Sequence, residues 1–168
     1  AFSATASGQA PAAWPTKPIA LVVTYPPGGG ADAMARLIAP KLGEALGQNV
    51  IVENKPGAGG QIGAAAVAKA APDGYTLMLD ASSFAVNPSL YPKLPYDTEK
   101  AFRAIGVIAL FPNVVLVNAQ FPAKNVAELI AAAKVKKDAV SFASSGNGSA
   151  QHLAGALFES AAKVDMVH

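Results

Sequence analysis

Three stretches of the chain have the composition of anion-binding loops. They are Pro26-Pro27-Gly28-Gly29-Gly30-Ala31-Asp32, Lys55-Pro56-Gly57-Ala58-Gly59-Gly60-Gln61 and Ser144-Ser145-Gly146-Asn147-Gly148-Ser149. Each follows an apolar run and precedes a segment with helical spacing. The start of a helix offers unpaired backbone N–H groups and a partial positive charge, and glycine lets a ligand approach the backbone closely. A plain turn role is the competing reading for each loop, since strand-to-helix turns favour Gly and Asx. None closes in the Gly-Lys-Ser/Thr of a nucleoside-triphosphate loop. Gly57 to Gly63 brushes the dinucleotide fingerprint, but Ile62 takes the third glycine position and Pro56 precedes it. A small carboxylate held by backbone N–H groups fits better than a nucleotide.

Catalytic groups are scarce. Ser149 and His152 are three apart on an expected helix, but no nucleophile elbow surrounds the serine. His152 reads as a polar residue near a helix start, bonded to neighbouring backbone. The other histidine, His168, is the last residue. Asp32 reads as a helix N-cap, and Asp80 as a brace for the loop after a strand. With no cysteine there is no thiol chemistry, Cys-ligated zinc, iron–sulfur cluster or disulfide. No His, Asp or Glu spacing suggests a metal site. The expectation is a binding protein, not an enzyme, with no catalytic residues, metal or cofactor.

The elements that would hold these loops alternate. Ile19–Tyr25 (IALVVTY) is the apolar, β-branched run of a strand buried on both faces. A helix follows, carrying Met34, Leu37, Ile38, Leu42, Ala45 and Leu46, with Gly47 as its C-cap and a kink expected at Pro40. Asn49–Glu53 is a second strand, Gln61–Ala71 a second helix and Tyr75–Asp80 a third strand. Short links between them imply parallel βαβ units. Residues 81–103, with Pro88, Pro92 and Pro95, read as a loop-rich lobe boundary. Beyond it the expectation is strands at 104–110 and 113–118, a helix at 127–135 capped by Asn125, and a strand at 140–143. A helix from Ser149 to about Lys163 and the opening of a further strand at 164–168 complete the reading.

Composition bounds the function. The 168 residues hold 13 basic and 11 acidic side chains, scattered except for Lys134, Lys136 and Lys137, which argues against a nucleic-acid partner. Of the 52% hydrophobic residues many are alanine, 37 in all, and no apolar run approaches the length of a bilayer span. Residues 1–13 are mostly small and polar, as at a mature end after signal removal or in an expression scar, and are expected to be a disordered tail.

Six ordered motifs carry a resemblance. They are Trp14-Pro15-x-Lys17-Pro18-Ile19, Pro26 to Asp32, Val52-Glu53-Asn54-Lys55-Pro56-Gly57-Ala58-Gly59-Gly60 and Ala71-Pro72-Asp73-Gly74-Tyr75-Thr76-Leu77. Asn87-Pro88-Ser89-Leu90-Tyr91 and Ser144 to Ser149 with His152-Leu153 complete the set. Together they resemble the Bug family, the extracytoplasmic solute-binding receptors of tripartite tricarboxylate transporters. The resemblance implies a two-lobed, Venus-flytrap α/β fold of mostly parallel sheets. Residues 14–103 would be the first lobe without its returning segment, and 104–168 the first half of the second lobe.

It also implies a periplasmic protein that grips a small carboxylate through backbone groups and bridging waters. The ligand would then pass to membrane permease subunits. Carried over by position, Tyr25, Pro26, Pro27, Gly28, Gly29 and Asp32 would form one wall of the site. Ala81, Ser82 and Asn87 would supply a second loop. Ser144, Ser145, Gly146, Asn147, Gly148, Ser149 and His152 would come from the second lobe. The 55–60 motif is expected to be structural. Ala31 departs from the Ser or Thr common in the family, and Pro40 is unexpected in that helix. Family members are nearly twice as long, so the chain reads as truncated, with edges near 75–80 and 164–168 open to self-association. The alternatives are a small nucleotide-dependent α/β enzyme, or a receptor fragment that no longer binds.

Overall fold

A computed structural model describes residues 14–135 and 140–168; the expected tail at 1–13 and two members of the lysine cluster, Lys136 and Lys137, lie outside it. The chain runs through β1 (Ile19–Val23), α1 (Gly30–Leu46), β2 (Val50–Asn54), a 3-10 turn (Ala58–Gly60), α2 (Gln61–Ala68) and β3 (Thr76–Leu79). It continues through α3 (Ser83–Leu90), α4 (Val126–Val135) and α5 (Ala150–Ala162). The three strands form one parallel sheet in the order β2-β1-β3, with Ile19 opposite Val50 and Ala20 opposite Thr76. This is the expected pair of βαβ units.

The most apolar strand is the central one. Leu21 and Val23 of β1 pack with Ala35 of α1 and Leu79 of β3, flanked by Ile38, Val50, Val52 and Leu77. Alternation sends Val22 and Thr24 to the other face, where α2 crosses. A Cβ on Gly63 would lie 2.8 Å from the Lys55 carbonyl oxygen and 2.9 Å from Thr24 Cγ2, so only glycine lets α2 approach that closely. Gly47 ends α1 in the left-handed region, as expected.

Several expectations are corrected. Asp32 is not the N-cap of α1: Gly29 holds that position in extended backbone, and Asp32 is the third helical residue. Glycine is an accepted N-cap residue, and the Asp32 carboxylate is held by Gly28 N–H, Arg36 and Asn54 instead of capping a later start. Pro40 stands inside α1, which runs on to Leu46, and is exposed, so the carbonyl that loses its helical donor can bond water. Leu37, expected on the apolar face, is 63% exposed, and the small Ala35 and Ala39 take the buried positions.

Within 81–103, residues Ser83–Leu90 form α3 despite Pro88. Phe84 of that helix packs edge-on against Phe102, with centroids 4.9 Å apart, and Phe102 in turn against Tyr96 at 5.4 Å. These contacts fold the proline-rich passage back onto α3. The strands expected at 104–110 and 113–118 are not formed. Ile105, Leu110 and Leu116 are each at least 85% exposed, and strand-forming residues need a neighbouring ladder, which no described segment provides. The strand expected at 140–143 is reduced to one parallel bridge between Ser141 and Val167. Phe142 N–H donates to Val167 at 2.8 Å and Val167 N–H to Val140 at 3.0 Å, so 164–168 begins a pairing as expected.

Asn125 caps α4, its Oδ1 accepting from Glu128 N–H at 3.0 Å while Glu128 accepts from Lys124 N–H at 2.7 Å. Such reciprocal bonding fixes the start of a helix. Ser149 caps α5 in the same manner.

Candidate functional site

A cavity of about 220 Å³ opens where four loops meet, beyond the carboxyl ends of β1 and β3. Its lining comes from Tyr25, from Ala58 and Gly59 of the 3-10 turn, from Ser83 and Tyr91 at either end of α3, and from Ser145, Gly146, Asn147 and Ser149. The carboxyl ends of parallel strands are where open α/β sheets bind ligands. Among the described residues, no arginine or lysine lines this cavity. A larger hollow of about 700 Å³ lies elsewhere, between α1 and β2, and includes none of the Gly-rich loop residues.

Each lining segment has a local reason for its place. Gly59 sits at φ 63°, and a Cβ there would approach the Tyr91 hydroxyl, Asn87 Oδ1 and the Asn147 carbonyl at 3.6, 3.7 and 3.9 Å. The turn therefore brings its bare backbone to the meeting point of three other segments. Asn87 is 1% exposed and donates through Nδ2 to the Gly59 carbonyl at 3.0 Å, supporting the wall from behind. Gly148, at φ 77°, lies against Leu90, whose Cδ1 would be 3.0 Å from an added Cβ. Ser149 accepts from His152 N–H at 3.2 Å, and Gly148 N–H donates to His152 Nδ1 at 3.2 Å. His152 thus has the structural role expected of it, bonding neighbouring backbone.

The first Gly-rich loop is organised around a carboxylate of its own. Asp32, 4% exposed, accepts from Gly28 N–H at 2.9 Å, from Arg36 Nε at 3.0 and 3.1 Å and from Asn54 Nδ2 at 2.9 Å. The Arg36 bonds above all, then Gly28 and Asn54, hold its pKa down to about 2. Asn54 also donates to the Tyr25 carbonyl at 3.1 Å, which ties the end of β2 to the entrance of the loop.

Asp80 behaves oppositely. Burial pushes its pKa up, against the pull of the Thr24 hydroxyl and of hydrogen bonds from Ala81 N–H at 2.6 Å and Ser83 Oγ at 3.1 Å. It braces the following loop, as its position at the strand end suggested. Ser83 is in turn hydrogen-bonded to the Tyr25 hydroxyl. Burial also raises the pKa of Tyr25.

Of the residues expected from the sequence, the cavity collects Tyr25, Ser145, Gly146, Asn147 and Ser149. Asn87, Gly148 and His152 stand behind its wall. Pro26, Pro27, Gly28 and Gly29 form an exposed turn, closed by Gly29 N–H on the Pro26 carbonyl at 3.4 Å. Ala81 and Ser82 are exposed at the start of α3, and Ser144 bonds His168 Nε2 at 2.7 Å. Sequence reading missed Ser83 and Tyr91 and set Ala58 and Gly59 aside. Ser83 was findable as the third residue after the strand-end Asp80, a spacing that suits a local hydroxyl-to-carboxylate bond.

A parallel α/β lobe with glycine- and serine-rich loops converging beyond its strand ends is the architecture of a periplasmic binding protein. The chain belongs to the tripartite tricarboxylate transporter receptor family: residues 34–168 match the family described as "Tripartite tricarboxylate transporter family receptor". It is 41% identical over 163 residues to the protein BugT of Bordetella pertussis, covering 94% of this chain and 50% of that protein. It is 40% identical over 156 residues to a protein encoded in the tcbD–tcbE intergenic region of Pseudomonas sp. strain P51, covering 93% and 46%. Among solved structures, one from R. palustris with adipate superposes at a TM-score of 0.87 with 36% identity, over 92% of this chain and 52% of that one. MatC from Rhodopseudomonas palustris, with bound malate, gives 0.81 and 34%, over 92% and 53%. The chain spans about half the length of the curated relatives it matches.

Proposed function

We propose that the chain forms part of a periplasmic receptor that captures a small carboxylate and passes it to the permease subunits of its transporter. Residues 14–103 belong to one lobe and 104–168 begin the second. The observation that carries this reading is the cavity itself. Groups from positions as far apart as Tyr25 and Ser149 line it, and among the described residues they are hydroxyls, one amide and glycine-rich backbone without a cationic side chain. Uncharged donors suffice, because a hydrogen bond to a charged partner contributes about 1.5–3 kcal/mol. Waters would bridge the remaining distance to the ligand. Contacts made to both walls favour the closed arrangement over the open one, which is how a hinged receptor converts binding into a signal for its partner. The adipate and malate in the two solved relatives support a carboxylate as the ligand class. No catalytic role is assigned to any residue.

Thermal-shift measurements on the purified chain, with mono- and dicarboxylates against nucleotides, test the proposal. Stabilisation by carboxylates that changes little between low and physiological salt is the expected result. Stabilisation by nucleotides alone, or affinity that collapses with salt, would overturn it.

A further inference from the structure

The hydrogen bonds among Asp80, Ser83 and Tyr25 have a direction. Ser83 has one hydroxyl hydrogen, and it goes to Asp80 Oδ1 at 3.1 Å. The bond between Ser83 and Tyr25 must therefore be donated by the Tyr25 hydroxyl and accepted by Ser83 Oγ. Protonation of Asp80 leaves this unchanged. Oδ1 already accepts from Ala81 N–H and from Ser83, whereas Oδ2 is buried on the Thr24 and Gly60 side, with the Thr24 hydroxyl as its polar neighbour. A proton added to the carboxyl goes to Oδ2, where the Thr24 hydroxyl can turn from donor to acceptor, rather than to Oδ1, which a backbone N–H already holds. The backbone N–H of Ala81 thus fixes Oδ1 as an acceptor in both states.

Tyr25 and Ser83 both line the cavity. With its only hydrogen committed to Ser83, the Tyr25 oxygen has acceptor capacity alone to offer a ligand. We propose that Tyr25 is a specificity-determining residue that selects carboxylates bearing a second, hydrogen-donating group, a hydroxyl or an ammonium, next to the phenol oxygen. A bare carboxylate oxygen at that point would meet another acceptor, and an alkyl chain would leave the acceptor lone pairs of the phenol oxygen unmet. Unpaired polar groups are what make a hydrogen-bonding site reject an analogue that lacks the matching group. The inference rests on the carboxylate reading above and adds which carboxylates.

Matched pairs test it: malate against succinate, 3-hydroxybutyrate against butyrate, and 4-hydroxybenzoate against benzoate, titrated calorimetrically into the chain. The hydroxylated member of at least one pair is expected to bind about tenfold or more tighter. Tyr25→Phe should erase that ratio while keeping affinity for the unsubstituted partner. Ser83→Ala, which frees the Tyr25 hydrogen, should also shrink the ratio. Asp80→Asn should preserve it, because Ala81 N–H holds an amide oxygen in the place of Oδ1. Equal or tighter binding of the unsubstituted member in every pair overturns the selection by Tyr25 and leaves the carboxylate reading standing. Binding of no carboxylate, on a chain that melts cooperatively, overturns both.

Discussion

Asp32 Oδ2 lies 2.9 Å from the backbone nitrogen of Gly28, so the turn before α1 closes on an anion supplied by the helix itself. Arg36, one helical turn further on, shares that carboxylate and bonds Asn54 at 3.1 Å. The loop is thereby shaped from inside the protein, and the cavity nearby is reached through Tyr25 rather than through the loop glycines.

Acid sensitivity follows from this pairing. The folded pKa of Asp32 is held to about 2, below the ordinary 3.8. A depressed carboxylate contributes stability that is present above the ordinary value and lost as pH falls towards the folded one. Between about pH 4 and pH 2 the wild-type chain is expected to lose stability that Asp32→Asn does not lose. Asp80 has the reverse sign, because burial raises its pKa. Its contribution is largest at low pH and declines as pH rises through the raised value, so Asp80→Asn should gain relative to wild type towards neutral pH. Urea midpoints measured across pH 2–7 on both variants check the two signs; parallel profiles would contradict them.

The approach of α2 to β1 rests on Gly63. A methyl group there meets backbone as well as a side chain, at 2.8 Å from the Lys55 carbonyl and 2.9 Å from Thr24 Cγ2. Helix propensity alone would favour alanine at that position. Overpacking is expected to outweigh it, so that Gly63→Ala lowers stability by about 1–3 kcal/mol in chemical denaturation. A stabilised variant would mean that α2 shifts freely on the sheet.

Ser149 is both a cavity residue and the cap of α5. Ser149→Ala removes the acceptor for His152 N–H, at a cost of about 1 kcal/mol. Faster hydrogen exchange should be confined to the first turn of α5, with Gly148 to Leu153 affected and β1 unaffected. Exchange rising equally throughout the sheet would show the cap to be a global rather than a local element.

Legibility from sequence follows how local the determinants are. The strand Ile19–Val23, the βαβ order and the Asn125 and Ser149 helix starts were readable because apolar runs and capping residues act within a few positions. The start of α1 was misplaced because Asp32, an ordinary cap residue, is claimed instead by Arg36 and Asn54, the latter 22 positions away. Ser83 and Tyr91 reach the cavity only through α3, a helix hidden by its proline. The Val-rich stretch at 104–117 has the local signature of strands but no partner among the described residues, and local signals do not report whether a partner is there.

That stretch carries the last prediction. Residues 104–117 contain no charged side chain, and Ile105, Leu110 and Leu116 are 85–89% exposed. No described segment pairs with their backbone. A long, uncharged, β-branched stretch with free N–H and C=O groups is a template for pairing with another strand. It is also apolar enough that burial favours association, at roughly 25 cal/mol per Å². The 168-residue chain alone is therefore expected to self-associate at micromolar concentration. Light scattering after size exclusion should give masses above 16.9 kDa. Leu110→Lys with Leu116→Lys places like charges on the stretch and should return the chain to monomer without lowering the stability of the β1 sheet, which these residues do not touch. A wild-type chain that is monomeric at all concentrations would show that 104–117 is tolerated in water as it stands.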